Sequence, residues 1–301
     1  MNYFYSAYLL NIKSEFPIPE LVSLKEDNVV LDVIIHYGDV PQNLADPTAE
    51  GVLFQVTENQ CLIQLDDVAR YLIQNGNEII VDVAPNALES DVRLFLLGPC
   101  VGALLHQRGI LAFHAATIAT KYGAVLFTGP SGAGKSTLLN TFLKRDYRMI
   151  ADDITGVILD DARKPIVLPG FPRTKLWADA AQALNQDTSM LKPTRPGLQK
   201  YELLMESKFE AKVTPLHRIY RLTTNTQGEL KLTRLQSIYN FRYILLNTYR
   251  EQFLDGLAMR PQHFALVTEI ARHTTMNVLS QPAYAYQFEQ AADLIERDFE
   301  S

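Results

Sequence analysis

The run GAVLFTGPSGAGKSTLLNTFLK, Gly123 to Lys144, decides how the rest of the chain is read. Its opening residues AVLFT are apolar and β-branched, the pattern of a buried strand. The middle, GPSGAGKST, matches the phosphate-loop pattern G-x-x-x-x-G-K-[ST] at every fixed position: Gly129, Gly134, Lys135 and Ser136. Beyond the loop, Leu138, Leu139, Phe142 and Leu143 recur at helical spacing, so a helix starts within GKST and lays one apolar stripe on a sheet. Such a strand, loop and helix turn backbone N–H groups and the positive end of the helix toward one point, where an anion binds. The expected nucleotide-binding residues are Gly129, Pro130, Ser131, Gly132, Ala133, Gly134, Lys135, Ser136 and Thr137. Lys135 is expected to neutralise the β- and γ-phosphates, and the Ser136 hydroxyl to serve Mg²⁺.

Motors, switches, transporters and kinases all use such a loop, so its neighbours must say which chemistry it serves. Asp153-Ile154-Thr155-Gly156 has the form D-x-x-G of a GTPase. It follows Lys135 by only 18 residues, however, and no N-K-x-D guanine reader occurs in the chain. What remains is YRMIADDITGVIL, a strand carrying the adjacent carboxylates Asp152 and Asp153. One carboxylate can hold Mg²⁺ while the other accepts a proton from an incoming hydroxyl, a pairing that suits transfer to an alcohol. The plainer alternative is a solvated Asp-Asp turn. Upstream, ILAFHAATIAT is joined to the loop's own strand by the tight turn Lys121-Tyr122-Gly123. Antiparallel pairing across that turn brings His114 toward the loop end of the next strand.

Composition bounds the remainder. With 301 residues, 47% hydrophobic and 21% charged, the chain can bury one large core or two modest ones. The net charge of −6 gives no general basic field for nucleic acid. Cys61 and Cys100 are the only cysteines, without His or Cys at metal spacing, and read as buried thiols. No apolar run approaches the roughly 20 residues that span a bilayer, and MNYFYSAYLL lacks a basic leader region. These features read as a cytoplasmic protein with no nucleic-acid or membrane partner, and they leave homo-oligomerisation open. Residues 1–88 are strand-rich in NVVLDVIIHYG, GVLFQVTENQCLIQL and NEIIVDVAP, with a short helical stripe of Val68, Tyr71 and Leu72 closed by Asn75-Gly76. They are expected to form a small α+β domain. The segment DVRLFLLGPCVGALLHQRG reads as a buried helix or helix pair opening a second domain, 89–301, and PQHFALVTEIARH and AYQFEQAADLIERDF as later helices.

The stretch FHAATIATKYGAVLFTGPSGAGKSTLLNTFLKRDYRMIADD resembles the catalytic core of the HPr kinase/phosphorylase family. There, as here, a histidine stands 15 residues before the first loop glycine and an aspartate 17 after the loop lysine. The resemblance implies an α/β P-loop kinase core that uses ATP and Mg²⁺. It places His114 and Lys135 in the active site, makes Asp152 the proton acceptor, and makes Ser136 a magnesium ligand. Thr137 stands where that family commonly has Glu, and IVLPGFPRTKLW lacks the family's Ile-Arg-Gly stretch with its acidic metal ligand. That departure leaves Asp153 for the metal role and weighs against phosphorylase activity and against HPr as substrate.

LLGPCVGALLHQRG, PGFPRTKLW and RPGLQKY are more similar to the HPr-kinase-like enzymes of lasso-peptide gene clusters, which phosphorylate a serine at the C-terminus of a precursor peptide. The implied partner is a peptide substrate. Arg173 and Lys175, and Arg195 and Lys200, flanked by Pro and Gly, are expected on rigid loops that could clamp phosphates or a terminal carboxylate. Surface charges without a role are the alternative, and Trp177 reads as groove lining or as a core anchor. The rival functions are a small-molecule or HPr-like protein serine kinase and a non-catalytic, regulatory nucleotide-binding protein.

Overall fold

A computed structural model of the chain describes residues 1–25, 30–177, 200–226, 228–283 and 287–300. It is a mixed α/β structure with two compact units, Met1–Ala112 with Tyr249–Ala265, and Phe113–Thr248 with Leu266–Ser301. The expected boundary at 88/89 falls just before the helix Glu89–Phe95, whereas the first unit continues through that helical segment. Among the described residues, no helix is long and apolar enough to cross a membrane.

The first unit carries a sheet in which the strands Gln60–Leu65, Ala69–Gln74 and Glu78–Val83 form an antiparallel meander. The stripe expected to be helical at 68–72 is the middle strand of this meander. Tyr71, Leu72 and Ile73 are all buried, so two covered faces erase the alternation that marks a half-exposed strand. Asn75 (φ 54°) and Gly76 (φ 65°), which read as a helix stop, are left-handed residues of a hairpin turn instead. Glu89–Phe95 and Val101–Gln107 flank a single wider turn over Leu96–Cys100 that absorbs Gly98-Pro99. Cys61 and Cys100 are buried free thiols.

Two histidines in this unit set its acid response. His106 donates from Nε2 to the Tyr249 carbonyl at 2.7 Å, and both His106 and His263 are buried. Burial pulls His106 down to about 4; burial, with His106 and Arg260 nearby, pulls His263 down to about 4. Both are therefore neutral when folded, while the unfolded chain protonates near the ordinary value of about 6.5. The unfolded state binds more protons below that pH, so stability is full above it and falls as pH drops from 6.5 toward 4. The loss is at most about 3 kcal/mol per histidine. The melting temperature is expected to fall across that window, and more shallowly in His263→Leu. An unchanged slope in that variant would remove His263 from the acid response.

In the second unit the strand Gly123–Thr128 is buried at every position. It pairs antiparallel with Ala115–Thr120, which pairs antiparallel with Arg148–Ala151. On its other side it pairs parallel with Thr214–Asn225, which pairs parallel with Thr275–Pro282. The helix Lys135–Lys144 buries Leu138, Leu139, Phe142 and Leu143, with Phe142 stacked on Phe127 at a 5.3 Å centroid separation. Each such side chain contributes roughly 1.5–3 kcal/mol of burial. The helix Phe288–Phe299 packs beside it, buries Ala291, Ala292, Ile295 and Phe299, and offers Glu289, Asp293 and Glu296 to the Arg145 guanidinium at 2.6–2.8 Å.

Candidate active site

The loop Gly129–Gly134 leaves the carboxyl end of the central strand and enters the helix at Lys135. Two of its glycines are required by geometry. Gly129 has φ 139°, and a Cβ there would lie 2.6 Å from the Leu222 carbonyl oxygen. Gly134 has φ 92°, and a Cβ there would lie 2.7 Å from the Phe288 ring. No side chain caps this helix start, so its first turn presents N–H groups to an anion. The Lys135 ammonium is folded over the loop, donating to the Gly129 carbonyl at 2.9 Å and the Pro130 carbonyl at 3.1 Å.

The sequence YRMIADDITGVIL is two strands, Arg148–Ala151 and Thr155–Leu159, broken at the aspartate pair. Asp153 takes a left-handed conformation, φ 76°, unusual for any residue but glycine and most tolerable for Asp or Asn. The corner turns the two carboxylates to different neighbours. Asp152 is buried and accepts four hydrogen bonds. Its Oδ1 takes the Ser136 hydroxyl at 3.0 Å and the Asp153 N–H at 3.0 Å, and its Oδ2 takes the Thr174 hydroxyl at 2.7 Å and the Lys175 N–H at 3.1 Å. Asp153 keeps 28% of its side chain exposed. Its Oδ2 accepts the Lys175 ammonium at 2.9 Å, and its Oδ1 lies 3.5 Å from His114 Nδ1. Burial alone would raise the Asp153 carboxyl, but Lys175 above all, then His114 and Arg173, hold it well below the usual carboxylate range.

His114 sits in the break between the strands Leu111–Phe113 and Ala115–Thr120. The pairing of Ala115 with Thr128 sets it beside the first loop glycine, where the two-residue turn at Lys121-Tyr122 requires it. Its N–H donates to the Asn247 carbonyl at 2.8 Å, and its Nδ1–H to the Asp153 carbonyl at 3.1 Å, which fixes the tautomer. Burial first, then the Lys135 charge, lowers its pKa, so the ring is neutral at physiological pH.

The structure thus links Ser136, Asp152, Asp153 and His114 by hydrogen bonds, with the Lys135 charge acting on the His114 ring. Arg173 and Lys175 stand not on a loop but on the strand Arg173–Trp177, paired with Lys200–Leu204. Arg173 is buried against the Phe171 ring and bonded to Glu202 at 3.2 Å, so its charge is committed inside the protein. Lys175 is committed to Asp153. Arg195 and the side chains of Lys200 and Trp177 lie outside the described residues.

Two contributors were not anticipated from sequence: the Thr174 hydroxyl and the Lys175 N–H, which anchor Asp152. Arg221, paired in register with Thr128, also stands on the strand beside the loop strand, its guanidinium 4.4 Å from the Tyr243 ring. The two arginines of HRIYRL, set among apolar residues, were the available signal for Arg221. Among the described residues, no three metal-binding side chains of His, Cys, Asp or Glu cluster. Ser136 and Asp152 set one hydroxyl beside one carboxylate, oxygen donors of the kind Mg²⁺ takes alongside waters and phosphates.

No protein-family model and no curated protein matches the sequence. Among solved structures, the chain is similar to the Hpr(Ser) kinase/phosphatase from Coxiella burnetii, with 12% identity and a TM-score of 0.32. The match covers 63% of this chain and 92% of that one. So loose a superposition carries no statement about activity.

Proposed function

We propose that the chain is an ATP-dependent kinase that transfers the γ-phosphoryl group to a serine hydroxyl, the acceptor being the C-terminal serine of a lasso-peptide precursor. The observation that carries the kinase reading is the hydrogen-bonded chain from the loop to the aspartate pair: Ser136 to Asp152, and Asp153 between Lys175 and His114. The serine acceptor rests on the sequence resemblance. Lys135 and the N–H groups at the helix start hold the phosphates. Ser136 and Asp152 would hold Mg²⁺, whose charge neutralises phosphate oxygens.

The geometry favours a division of labour between the aspartates opposite to the one the resemblance implies. Asp152 has two donors on each oxygen and is buried, so it is an anchor beside the loop hydroxyl. Asp153 is exposed enough to meet an acceptor, and its carboxylate takes up a proton once the Lys175 ammonium turns from it to a phosphate. His114 orients the Asp153 corner through its Nδ1–H.

The reading is tested by incubating the purified chain with ATP, Mg²⁺ and a Ser-ending precursor peptide, and locating the phosphate by mass spectrometry. Modification of the terminal serine is expected, with no transfer to free serine or sugars. Phosphate only at internal positions would exclude the C-terminal acceptor. ATP binding without transfer to any acceptor would leave a nucleotide-binding protein rather than a kinase.

A further inference from the structure

We infer that Gln281 reads the base edge of the bound nucleotide, an inference that rests on the nucleotide-binding reading above. Gln281 is fully buried, and neither its Nε2 nor its Oε1 has a hydrogen-bond partner. Among the described residues it is the one amide with both ends unpaired. Asn240, by contrast, still donates from its Nδ2 to the Thr274 carbonyl, and Arg218 lies 3.5 Å from Asp298. Burying a polar atom without a partner costs stability, so a buried amide unpaired at both ends is retained against a standing penalty.

Its place in the sheet says what would pair with it. Gln281 is at the carboxyl end of Thr275–Pro282, in register with Thr224. Ligands of parallel sheets bind at this end of the strands. The central strand that delivers the phosphate loop is two strands away, about 10 Å at the usual spacing. The level is right as well: Gly129 touches the Leu222 carbonyl, and Leu222 pairs with Leu279, two residues before Gln281. The pleat sets Gln281 on the face of Asn277, which bonds Asp298 of the helix Phe288–Phe299. That helix begins at Phe288, against Gly134 of the loop. The aspartate pair lies on the opposite side of the loop strand, beyond Ala115–Thr120. A nucleotide with its terminal phosphate toward Asp153 therefore runs its other end toward Gln281.

The chemistry matches. A carboxamide holds one acceptor and one NH₂ donor side by side, and adenine offers the complement in its 6-amino group and the neighbouring ring nitrogen. Inorganic triphosphate offers no such edge.

Calorimetric titration of the full chain with ATP and with inorganic tripolyphosphate, both with Mg²⁺, tests this. Wild type is expected to bind ATP more tightly than tripolyphosphate. Gln281→Leu is expected to lose roughly 10- to 100-fold in ATP affinity, the worth of a bidentate base contact, with tripolyphosphate affinity unchanged. Its melting temperature should not fall, because an unpaired buried amide is replaced by an apolar side chain of similar size. Unchanged ATP affinity in that variant would overturn the inference and leave the amide to a buried water. Equal wild-type affinity for ATP and tripolyphosphate would overturn it while sparing the phosphate site. Binding of neither would remove the nucleotide reading itself. Should Gln281→Leu not fold, wild type with purine riboside triphosphate, which lacks the 6-amino group, gives the same decision. Roughly tenfold weaker binding than ATP is expected, and equal binding refutes the contact.

Discussion

Lys135→Ala is expected to reduce phosphoryl transfer by at least about 10²–10³-fold, the usual cost of removing one preorganised charge from a transition state that develops negative charge. The ammonium lies over the loop, bonded to the Gly129 and Pro130 carbonyls, so it needs only to swing from those oxygens to a phosphate. Lys135→Met, which keeps most of the apolar stem, should lose as much. Both variants should remain folded, because the helix is held by Leu138, Leu139, Phe142 and Leu143 rather than by the lysine. A second readout separates charge from packing. The Lys135 charge lowers the titration of His114, so without nucleotide the His114 ring should titrate higher in either variant, measured by NMR. Full turnover in a folded Lys135→Ala chain would remove the loop from the mechanism.

What was legible in the sequence follows from how far the information had to travel. The strand, loop and helix at 123–144 are local, and their signals lie within one turn of one another. The position of His114 was legible because a two-residue hairpin leaves one register for its strands. The partners of the aspartates were not, because Thr174 and Lys175 arrive from a separate strand; nor was the place of Arg221, which comes beside the loop strand through a parallel pairing 93 residues from Thr128. No local pattern encodes such meetings. The strand Ala69–Gln74 was misread for a different reason: a strand buried on both faces carries no period of two, and Val68, Tyr71 and Leu72 then fall at helical spacing by accident. The return of Tyr249–Ala265 to the first unit is a long-range event of the same kind as the Arg221 pairing. Arg173 looked like a substrate clamp because its flanking Pro-Gly signals were read as a loop. Its burial against Phe171 and Glu202 depends on a hairpin partner at 200–204.

The aspartate pair carries the second large effect, and its two members should fail in different ways. Asp153→Asn keeps the shape of the corner and removes the carboxylate that meets Lys175 and faces His114. The rate constant should fall by about 10²–10⁴-fold, the worth of a general base, and no concentration of magnesium should restore it. Asp152→Asn acts elsewhere. An amide cannot accept from Ser136, Asp153 N–H, Thr174 and Lys175 N–H together, so one end of the carboxamide faces a donor with a donor. That variant should lose about 1–3 kcal/mol of stability and need more Mg²⁺ for half-maximal rate, with partial recovery at high metal. Rate measured against Mg²⁺ in both variants, with melting temperatures alongside, distinguishes the two roles. A metal-rescuable Asp153→Asn beside an unrescuable Asp152→Asn would return the proton to Asp152 and the metal to Asp153. That outcome would mean that the four donors on Asp152 rearrange when nucleotide binds and free an oxygen for the acceptor hydroxyl.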